Sequence, residues 1–143
     1  MRYKPPVSDP FTVGHKVSFS RTVTDEVVRT FAEASGDDQP LHLDDSFGTR
    51  TRFKRRIAHG MLSAGFISAA LGTRLAPGYV VVYLSQQLRF RLPVGIGDTI
   101  TATAEVKDVD IEKRIVTLDT TCTNQDGDVV VLGEARVLLD PLE

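Results

Sequence analysis

Hydrophobic and polar residues alternate through most of the chain after residue 78, which is the pattern of half-buried β-strands. The first strand of this region begins at Tyr79, and three more are predicted near residues 100–106, 114–124 and 129–138. Polar turns separate these strands, and Gln125-Asp126-Gly127 is typical of a hairpin turn. One face of the first two strands is predicted to carry Val80, Val82, Leu84, Leu88 and Phe90, and then Ile100, Ala102, Ala104 and Val106.

The hydrophobic period changes to that of a helix nearer the amino end of the chain. Val27, Phe31 and Ala34 recur at helical spacing. Thr24 precedes them as a suitable N-cap, and Gly36 follows them as a residue that readily ends a helix. The pattern therefore predicts a helix between Thr24 and Gly36.

A second helix is predicted over residues 58–75, and it is apolar around almost its whole circumference. Such a helix must be buried on most sides. Pro77-Gly78 ends it with strong turn chemistry. A strand is expected over residues 13–23, and the loop over residues 37–57 is expected to hold one helical turn near residues 44–49.

The order of elements is strand, helix, long loop, buried helix and four long strands, which predicts an α+β fold. In this fold an antiparallel sheet wraps around the central buried helix. The chain of 143 residues is expected to form a single domain, with residues 1–12 as an extended N-terminal arm. Because a single sheet leaves open edges and an uncovered side of the helix, a homodimer is predicted.

The composition limits the class of protein. Hydrophobic residues make up 41% and charged residues 25% of the chain, as in an ordinary globular protein. The formal charge of −2 shows no basic excess that would indicate a nucleic-acid partner. No apolar segment has the form of a signal peptide or a membrane span, and the single cysteine, Cys122, excludes an internal disulfide. These features predict a cytoplasmic protein that does not bind membranes.

A carboxylate and an imidazole, those of Asp37 and His42, follow the first predicted helix within one short loop. Gly36 can adopt a positive φ and Pro40 fixes its own φ, so both groups lie on a stiff turn. A rigid pair that shares one water suits proton transfer on a small substrate. Taken singly, Asp37 is better interpreted as a turn residue after a helix, and His42 as a structural histidine. Their pairing favours an enzyme.

Two motifs that occur in this order resemble those of the MaoC-like, or (R)-specific, enoyl-CoA hydratases. The resemblance covers residues 15–138, which is nearly the whole chain. The first motif is Ala34-Ser35-Gly36-Asp37 followed by Gln39-Pro40-Leu41-His42, and the second is Arg56-Ile57-Ala58-His59-Gly60-Met61-Leu62. The segments Leu88-Arg89-Phe90, Pro93-Val94 and Gly97-Asp98-Thr99 extend the match.

The resemblance implies a hot-dog fold, in which a sheet wraps around one central helix, and a homodimer. It also implies reversible addition of water to trans-2-enoyl-CoA to give (R)-3-hydroxyacyl-CoA, without a cofactor or a metal. The acid–base pair of the family falls on Asp37 and His42, and the backbone N–H that holds the thioester oxygen falls on Gly60. Further substrate contacts are predicted from Gln39, His59, Arg55 and Arg56.

These residue types suit the chemistry of hydration. A water must lose a proton as it attacks C3, C2 must receive a proton, and the thioester oxygen must be stabilised. Asp37 and His42 on one face of the substrate would share a single water, which predicts syn addition. Gly60 would lie near the start of the buried helix, where N–H groups lack partners and the helix dipole favours negative charge. Glycine also lets the thioester approach closely because it has no Cβ.

Two positions depart from the family pattern or remain unassigned. Gln39 stands where asparagine is usual, which moves the amide one methylene outward. A serine that supports the aspartate in some members could correspond to Ser63 or Ser68, and spacing does not choose between them. His59 is expected mainly to cap the start of the buried helix or to hold another polar group.

The loop before the buried helix carries the one local excess of positive charge. It is either a solvated loop beside Asp44 and Asp45 or a docking site for the phosphates of coenzyme A, which require arginine and lysine contacts. Nucleic acid is not expected, because no aromatic platform accompanies these residues. The basic residues are Arg50, Arg52, Lys54, Arg55 and Arg56.

Three other functions stay open at the level of sequence. The substrate could be carried by acyl carrier protein rather than coenzyme A. The chain could be a thioesterase, or an acyl-CoA-binding module without activity, although the presence of both Asp37 and His42 disfavours each of these. A metal site is not expected, because His15, His42 and His59 lack compact ligand spacing.

Overall fold

The computed structural model describes residues 9–142, in which one five-stranded antiparallel sheet accompanies four helices. This is the α+β hot-dog arrangement expected from the sequence. The strands are β1 (Lys16–Thr22), β2 (Tyr79–Phe90), β3 (Thr99–Asp110), β4 (Ile115–Thr123) and β5 (Val129–Pro141). The helices are α1 (Asp25–Ser35), α2 (Pro40–Leu43), α3 (Asp45–Thr49) and α4 (Gly60–Arg74).

The sheet has the order β1-β3-β4-β5-β2, and α4 packs against its strands. The alternation predicted for β3 is confirmed, because the inward side chains of this strand are fully buried. They form the core with one face of α4. The other face of this helix, with Met61, Gly65 and Ser68, is exposed in the single chain, so the burial on most sides that the sequence predicts is not seen here. The buried core includes Leu62, Phe66, Ile67, Leu71, Ile100, Ala102, Ala104, Val106, Val116 and Leu118.

Helix α1 begins and ends where the sequence predicts. The Thr24 hydroxyl accepts a hydrogen bond from the Val27 N–H at 3.1 Å, which satisfies one free donor of the first turn. Gly36 follows the helix with φ +83°, and its N–H donates to the Ala32 carbonyl. This left-handed residue turns the chain sharply, so Asp37 follows a fixed helix end.

The loop between α1 and α4 contains more helix than predicted. The helical turn expected near residues 44–49 is present as α3, and the Asp44 carboxylate caps it by accepting from the Ser46 and Phe47 N–H groups. Helix α2 was missed, because its four residues carry no periodic pattern. Pro40 starts α2 at a position where the missing N–H costs nothing. Within residues 9–142, no helix combines the length and apolarity that a membrane crossing requires.

Strand β2 contains a bulge that the alternating pattern did not reveal. The register shifts after Tyr83, so that Val82 lies opposite Leu138 whereas Leu88 lies opposite Gly133. Positions 138 and 133 on β5 differ by an odd number and point to opposite faces of the sheet. The prediction that the apolar residues of β2 share one face is therefore wrong, because the extra residue reverses the alternation.

The predicted N-terminal arm lies largely outside the described residues, since residues 1–8 are not described. The described part forms turns: the Thr12 N–H donates to the Asp9 carbonyl at 3.0 Å, and the His15 N–H donates to the Thr12 carbonyl at 3.0 Å. The Phe11 ring packs edge-on against Tyr79 at 5.8 Å between centroids. Residues 9–14 are thus anchored to the start of β2 and are not extended.

Candidate active site

Asp37 is positioned by the end of α1. The Ser35 hydroxyl donates back to the Phe31 carbonyl at 2.7 Å and accepts from the Asp37 N–H at 3.1 Å. The Asp37 carbonyl accepts from His59 Nε2 at 2.7 Å. Its backbone is thereby held on both sides, while its carboxylate is half-exposed and open to a substrate or a water.

His42 is buried on α2, and its ring faces the Asp37 carboxylate. Its Nδ1 lies 2.7 Å from the Ile57 carbonyl oxygen, which can only accept, so Nδ1 carries the hydrogen. In the neutral ring, Nε2 then has the free lone pair. This Nε2 lies 4.0 Å from Asp37 Oδ2, within reach of one shared water. The structure thus brings together the two groups that the sequence paired.

His59 joins these two residues. Its ring stacks on that of His42 with the centroids 3.8 Å apart and an angle of 27° between the planes, and Nε2 donates to the Asp37 carbonyl. Its Nδ1 is buried without a hydrogen-bond partner. His59 occupies the N-cap position of α4, but its side chain makes no capping hydrogen bond. Of the two structural roles expected for His59, its side chain therefore takes that of holding another polar group, and it does not cap the helix.

The first turn of α4 approaches this pair with an uncovered backbone. Gly60 is the first residue of the helix, where N–H groups lack intrahelical acceptors. A Cβ at this position would lie 2.6 Å from Cε1 of the Phe90 ring, so no side chain fits without displacing the ring. A larger residue at position 60 therefore requires the exposed Phe90 ring to move.

The carboxylate and the two imidazoles form the one group of potential metal ligands found among residues 9–142. One donor atom each from Asp37, His42 and His59 lie within 4.8 Å of one another. A metal ion lies near the plane of each imidazole that binds it. The two rings are stacked almost parallel, so both lone pairs cannot point at one ion in this arrangement.

A groove of about 660 Å³ opens beside the start of α4. Its walls are mainly apolar, and it reaches the site at Gly60; neither Asp37 nor His42 lines it. Two arginines, Arg52 and Arg91, lie along it. The remaining lining residues are Phe53, Ile57, Ala58, Met61, Ser63, Phe90, Leu92, Pro93, Val94 and Val131.

The basic loop is divided by the fold. Arg56 is buried, and its guanidinium donates to the His42 carbonyl and to Asp25. The fold thus gives Arg56 partners within the protein, and its predicted contact with substrate stays a prediction. Arg55 is exposed with its guanidinium over Gly95, and Arg52 alone of this loop's basic residues lines the groove. Arg91 lies in the turn that follows β2. Its place in the groove was not predicted, because it does not belong to the basic loop in the sequence.

The polar residues left unassigned by spacing occupy different positions. Gln39 is exposed beside the site, and its N–H lies 3.4 Å from Asp37 Oδ1. Ser63 is buried and lines the groove one turn after Gly60, whereas Ser68 is exposed further along α4. Ser63 is therefore the serine that the fold brings near the site.

Cys122 takes no part in this chemistry. It is fully buried on β4, and its thiol donates weakly to the Ser63 carbonyl at 3.6 Å. Burial raises the pKa of the Cys122 thiol to about 12. A thiol in this environment stays protonated at neutral pH and is not a nucleophile.

The sequence matches the family described as MaoC like domain over residues 10–126. This chain belongs to the MaoC-like family. An (R)-specific enoyl-CoA hydratase from Rhodospirillum rubrum is 49% identical over 126 residues, which cover 88% of this chain and 86% of that protein. A 3-hydroxybutyryl-CoA dehydratase from Methylorubrum extorquens is 48% identical over 126 residues, with 87% and 78% covered.

The fold of this MaoC-like chain is also that of solved structures. The (R)-hydratase from A. caviae involved in PHA biosynthesis has a TM-score of 0.85 and 44% identity, covering 90% of this chain and 96% of that one. The resemblance identified from the two motifs is therefore confirmed over almost the whole chain.

Proposed function

We propose that this chain catalyses the reversible syn hydration of trans-2-enoyl-CoA to (R)-3-hydroxyacyl-CoA. The observation that carries the proposal is the 4.0 Å separation of Asp37 Oδ2 and His42 Nε2 beside the start of α4. The names of the two relatives, a hydratase and a dehydratase of CoA thioesters, describe the two directions of this reaction.

One water supplies every atom that the reaction adds. Asp37 and His42 hold this water, and one of them takes its proton as the oxygen attacks C3. The electron pair of the double bond moves to the thioester as an enolate. The proton then passes from the pair to C2, which restores the carbonyl. Both additions come from one side of the substrate, and each positioned proton transfer is worth ~10²–10⁴-fold in rate.

The enolate oxygen is assigned to the backbone N–H of Gly60. This donor lies at the positive end of the α4 dipole, where developing negative charge is favoured. One oxyanion donor is commonly worth roughly 3–4 kcal/mol of barrier. No metal or redox group is required, since the Asp37–His42 pair and the Gly60 N–H cover the proton transfers and the charge.

The direct test is hydration of crotonyl-CoA, followed by the loss of absorbance of the enoyl thioester, with the chirality of the product determined. Asp37→Asn and His42→Ala should each abolish turnover while the variants remain folded. Asp38→Asn is a matched control, because this neighbouring carboxylate is exposed outside the site, and it should keep activity near that of the wild type.

Three results would count against the proposal. Release of free thiol without hydration identifies a thioesterase. Binding of the thioester with neither signal identifies a module without activity. Near-normal turnover in Asp37→Asn or His42→Ala removes that residue from its role.

Coenzyme A is proposed as the carrier because of the groove beside Gly60. Its apolar walls suit the pantetheine arm, and Arg52 and Arg91 lie along it as phosphate partners. Replacing either arginine by alanine should raise KM for crotonyl-CoA several-fold with little change in kcat. The same variants should not change KM for the crotonyl thioester of N-acetylcysteamine, which has no phosphate.

Acyl carrier protein is the alternative carrier. A crotonyl thioester of acyl carrier protein with a higher kcat/KM than crotonyl-CoA would reverse the assignment. The cytoplasmic location of the reaction is a prediction from the sequence.

We also propose that the chain forms a homodimer through β2. This strand is one edge of the sheet, and before its bulge it presents the exposed, apolar Val80 and Val82 on the outer face, whereas the outward residues of the opposite edge β1 are polar. A long edge strand of twelve residues with exposed apolar positions in its first half is a ready template for pairing with a second copy. The exposed hydrophobic residues of β2 are Val80, Val82, Tyr83, Leu84 and Phe90.

A further inference from the structure

Helix α2 is too short to place His42 by itself. It has only four residues, and a single helical turn has little stability in isolation. Its last carbonyls have no intrahelical donors and need partners from elsewhere in the fold. The position of the His42 imidazole therefore depends on contacts made by other elements.

Two arginines supply these partners at consecutive carbonyls. Arg56 Nε donates to the His42 carbonyl at 2.9 Å, and Arg29 Nη2 donates to the Leu43 carbonyl at 3.2 Å. Cations at the carboxyl end of a helix are also favoured by its dipole. The end of α2 is thus held from both sides by positive charge.

One carboxylate joins the two arginines. Asp25 Oδ1 accepts from Arg56 Nη2 at 2.6 Å, and Asp25 Oδ2 accepts from Arg29 Nε at 2.9 Å. Asp45 lies 3.8 Å from Arg56 Nη1 and is fully exposed, so it adds little. Asp25 begins α1, Arg29 lies one turn later, and Arg56 comes from the loop before α4. We name the three residues Asp25, Arg29 and Arg56 the arginine clamp.

The clamp acts on His42 together with the neighbouring backbone. Arg56 holds the His42 carbonyl, and the carbonyl of Ile57, the next residue, accepts from His42 Nδ1 at 2.7 Å. Two consecutive residues thus fix both the backbone and the ring of His42. Gly60 lies three residues after Ile57. The segment 56–60 therefore carries both the groups that hold His42 and the N–H of Gly60.

We propose that Arg56 is a positioning residue which, through the arginine clamp, holds His42 Nε2 at its working place 4.0 Å from Asp37 Oδ2. This role rests on the proposed hydratase function and differs from the contact with coenzyme A that the sequence indicated. The planar fork of arginine is essential to it, because one guanidinium reaches both the His42 carbonyl and Asp25. The single ammonium of lysine cannot span both partners with the same geometry.

The experiment compares Arg56→Met, Arg56→Lys and Asp25→Asn with Lys107→Met. Lys107 bridges Asp119 and Glu134 on the sheet and lies outside the site, so its variant controls for the loss of a cation that joins two carboxylates. Arg56→Met should lower kcat for crotonyl-CoA by about tenfold to a hundredfold, since small displacements of a catalytic group have such costs. KM should stay within about twofold of the wild-type value, because the groove is intact. Lys107→Met should leave both constants unchanged.

The conservative variant separates charge from geometry. Arg56→Lys keeps the cation and should recover less than half of the lost kcat, with a thermal midpoint close to that of the wild type. Asp25→Asn should lower kcat less than Arg56→Met, because Arg56 still reaches the His42 carbonyl. Full recovery of kcat in Arg56→Lys would overturn the role of the fork.

A proton NMR signal gives a readout that does not depend on activity. The Nδ1–H of His42, bonded to the Ile57 carbonyl, should give a resolved downfield resonance that is absent in His42→Ala. This resonance should shift or broaden in Arg56→Met and stay unchanged in Lys107→Met. Wild-type kcat and an unchanged resonance in Arg56→Met, with only a lower thermal midpoint, would show a purely structural role and overturn the proposal. If the wild type is inactive but the His42 resonance still shifts in Arg56→Met, only the hydratase function is contradicted.

Discussion

At the scale of single residues, the site depends on which nitrogen of each histidine is free. The Ile57 carbonyl fixes His42 with Nε2 towards Asp37, and the Asp37 carbonyl fixes His59 with Nε2 as the donor. Sequence reasoning found Asp37 and His42 because their spacing and the stiff turn are local. It left two roles open for His59 and did not identify its partner, because the carbonyl of Asp37 is 22 residues away in the chain.

The packing of Gly60 gives a prediction at this scale. Gly60→Ala should lower kcat at least about tenfold, because a Cβ blocks the approach of the thioester and meets the Phe90 ring 2.6 Å away. The double variant Gly60→Ala/Phe90→Ala removes the contact of the new Cβ with the Phe90 ring and leaves the blocked approach of the thioester. It should recover thermal stability without recovering kcat, as measured by thermal unfolding and the crotonyl-CoA assay. Recovery of kcat in the double variant would assign the glycine to packing against Phe90.

At the scale of elements, the two ends of α1 could be predicted from the sequence, whereas helix α2 and the bulge of β2 could not. Thr24 and Gly36 act through bonds to residues within four positions, so a local pattern reports them. The last carbonyls of helix α2 accept from Arg29 and Arg56, and these partners lie 14 residues away. The bulge of β2 is likewise decided by its pairing with β5.

The turn after α1 gives a prediction of stability. Gly36 has φ +83°, and a Cβ there would have nothing within 4 Å, so replacement costs only backbone strain. Gly36→Ala should lower the free energy of unfolding by about 1–2 kcal/mol, measured by urea denaturation. Gly36→Asn should cost less, because asparagine tolerates the left-handed region. Equal losses in the two variants would contradict a purely conformational cause.

The carboxylate of the arginine clamp gives a prediction of pH dependence. Hydrogen bonds from Arg56 and then Arg29 lower the pKa of Asp25 below its ordinary value of 3.8. A carboxyl group whose pKa is lower in the folded state stabilises the protein above the unfolded pKa and loses this effect as the pH falls through the folded pKa. The difference in unfolding free energy between the wild type and Asp25→Asn should therefore be constant near neutral pH and shrink below about pH 4. A difference that stays the same from pH 7 to pH 3 would contradict this origin.

At the scale of the whole molecule, the two edges of the sheet differ in chemistry. Edge β1 presents polar residues outward, whereas edge β2 presents the apolar Val80 and Val82 outward before its bulge. The bulge contributes to this difference, because it leaves Val82 on the outer face while Leu88 turns inward. The homodimer predicted from the sequence is therefore proposed to form through edge β2.

A charged substitution on this edge tests the dimer. Val82→Lys should convert the dimer to a monomer, measured by light scattering during size-exclusion chromatography, because a buried ammonium at the interface has no partner. Ser18→Lys on β1 is the matched control and should leave the molar mass at two chains. A wild-type protein with the mass of one chain would contradict the dimer itself, and a dimeric Val82→Lys would exclude β2 as its interface.

The sequence alone determined the strands, the two longer helices, the caps of α1 and the pairing of Asp37 with His42, because each depends on residues close together in the chain. Only the tertiary structure decided which arginines serve which partner. Arg56 is buried against His42 and Asp25, while Arg52 and Arg91 meet in one groove. The physical reason is that a guanidinium bonds to whichever oxygen the fold brings within about 3 Å, and no local pattern records that distance.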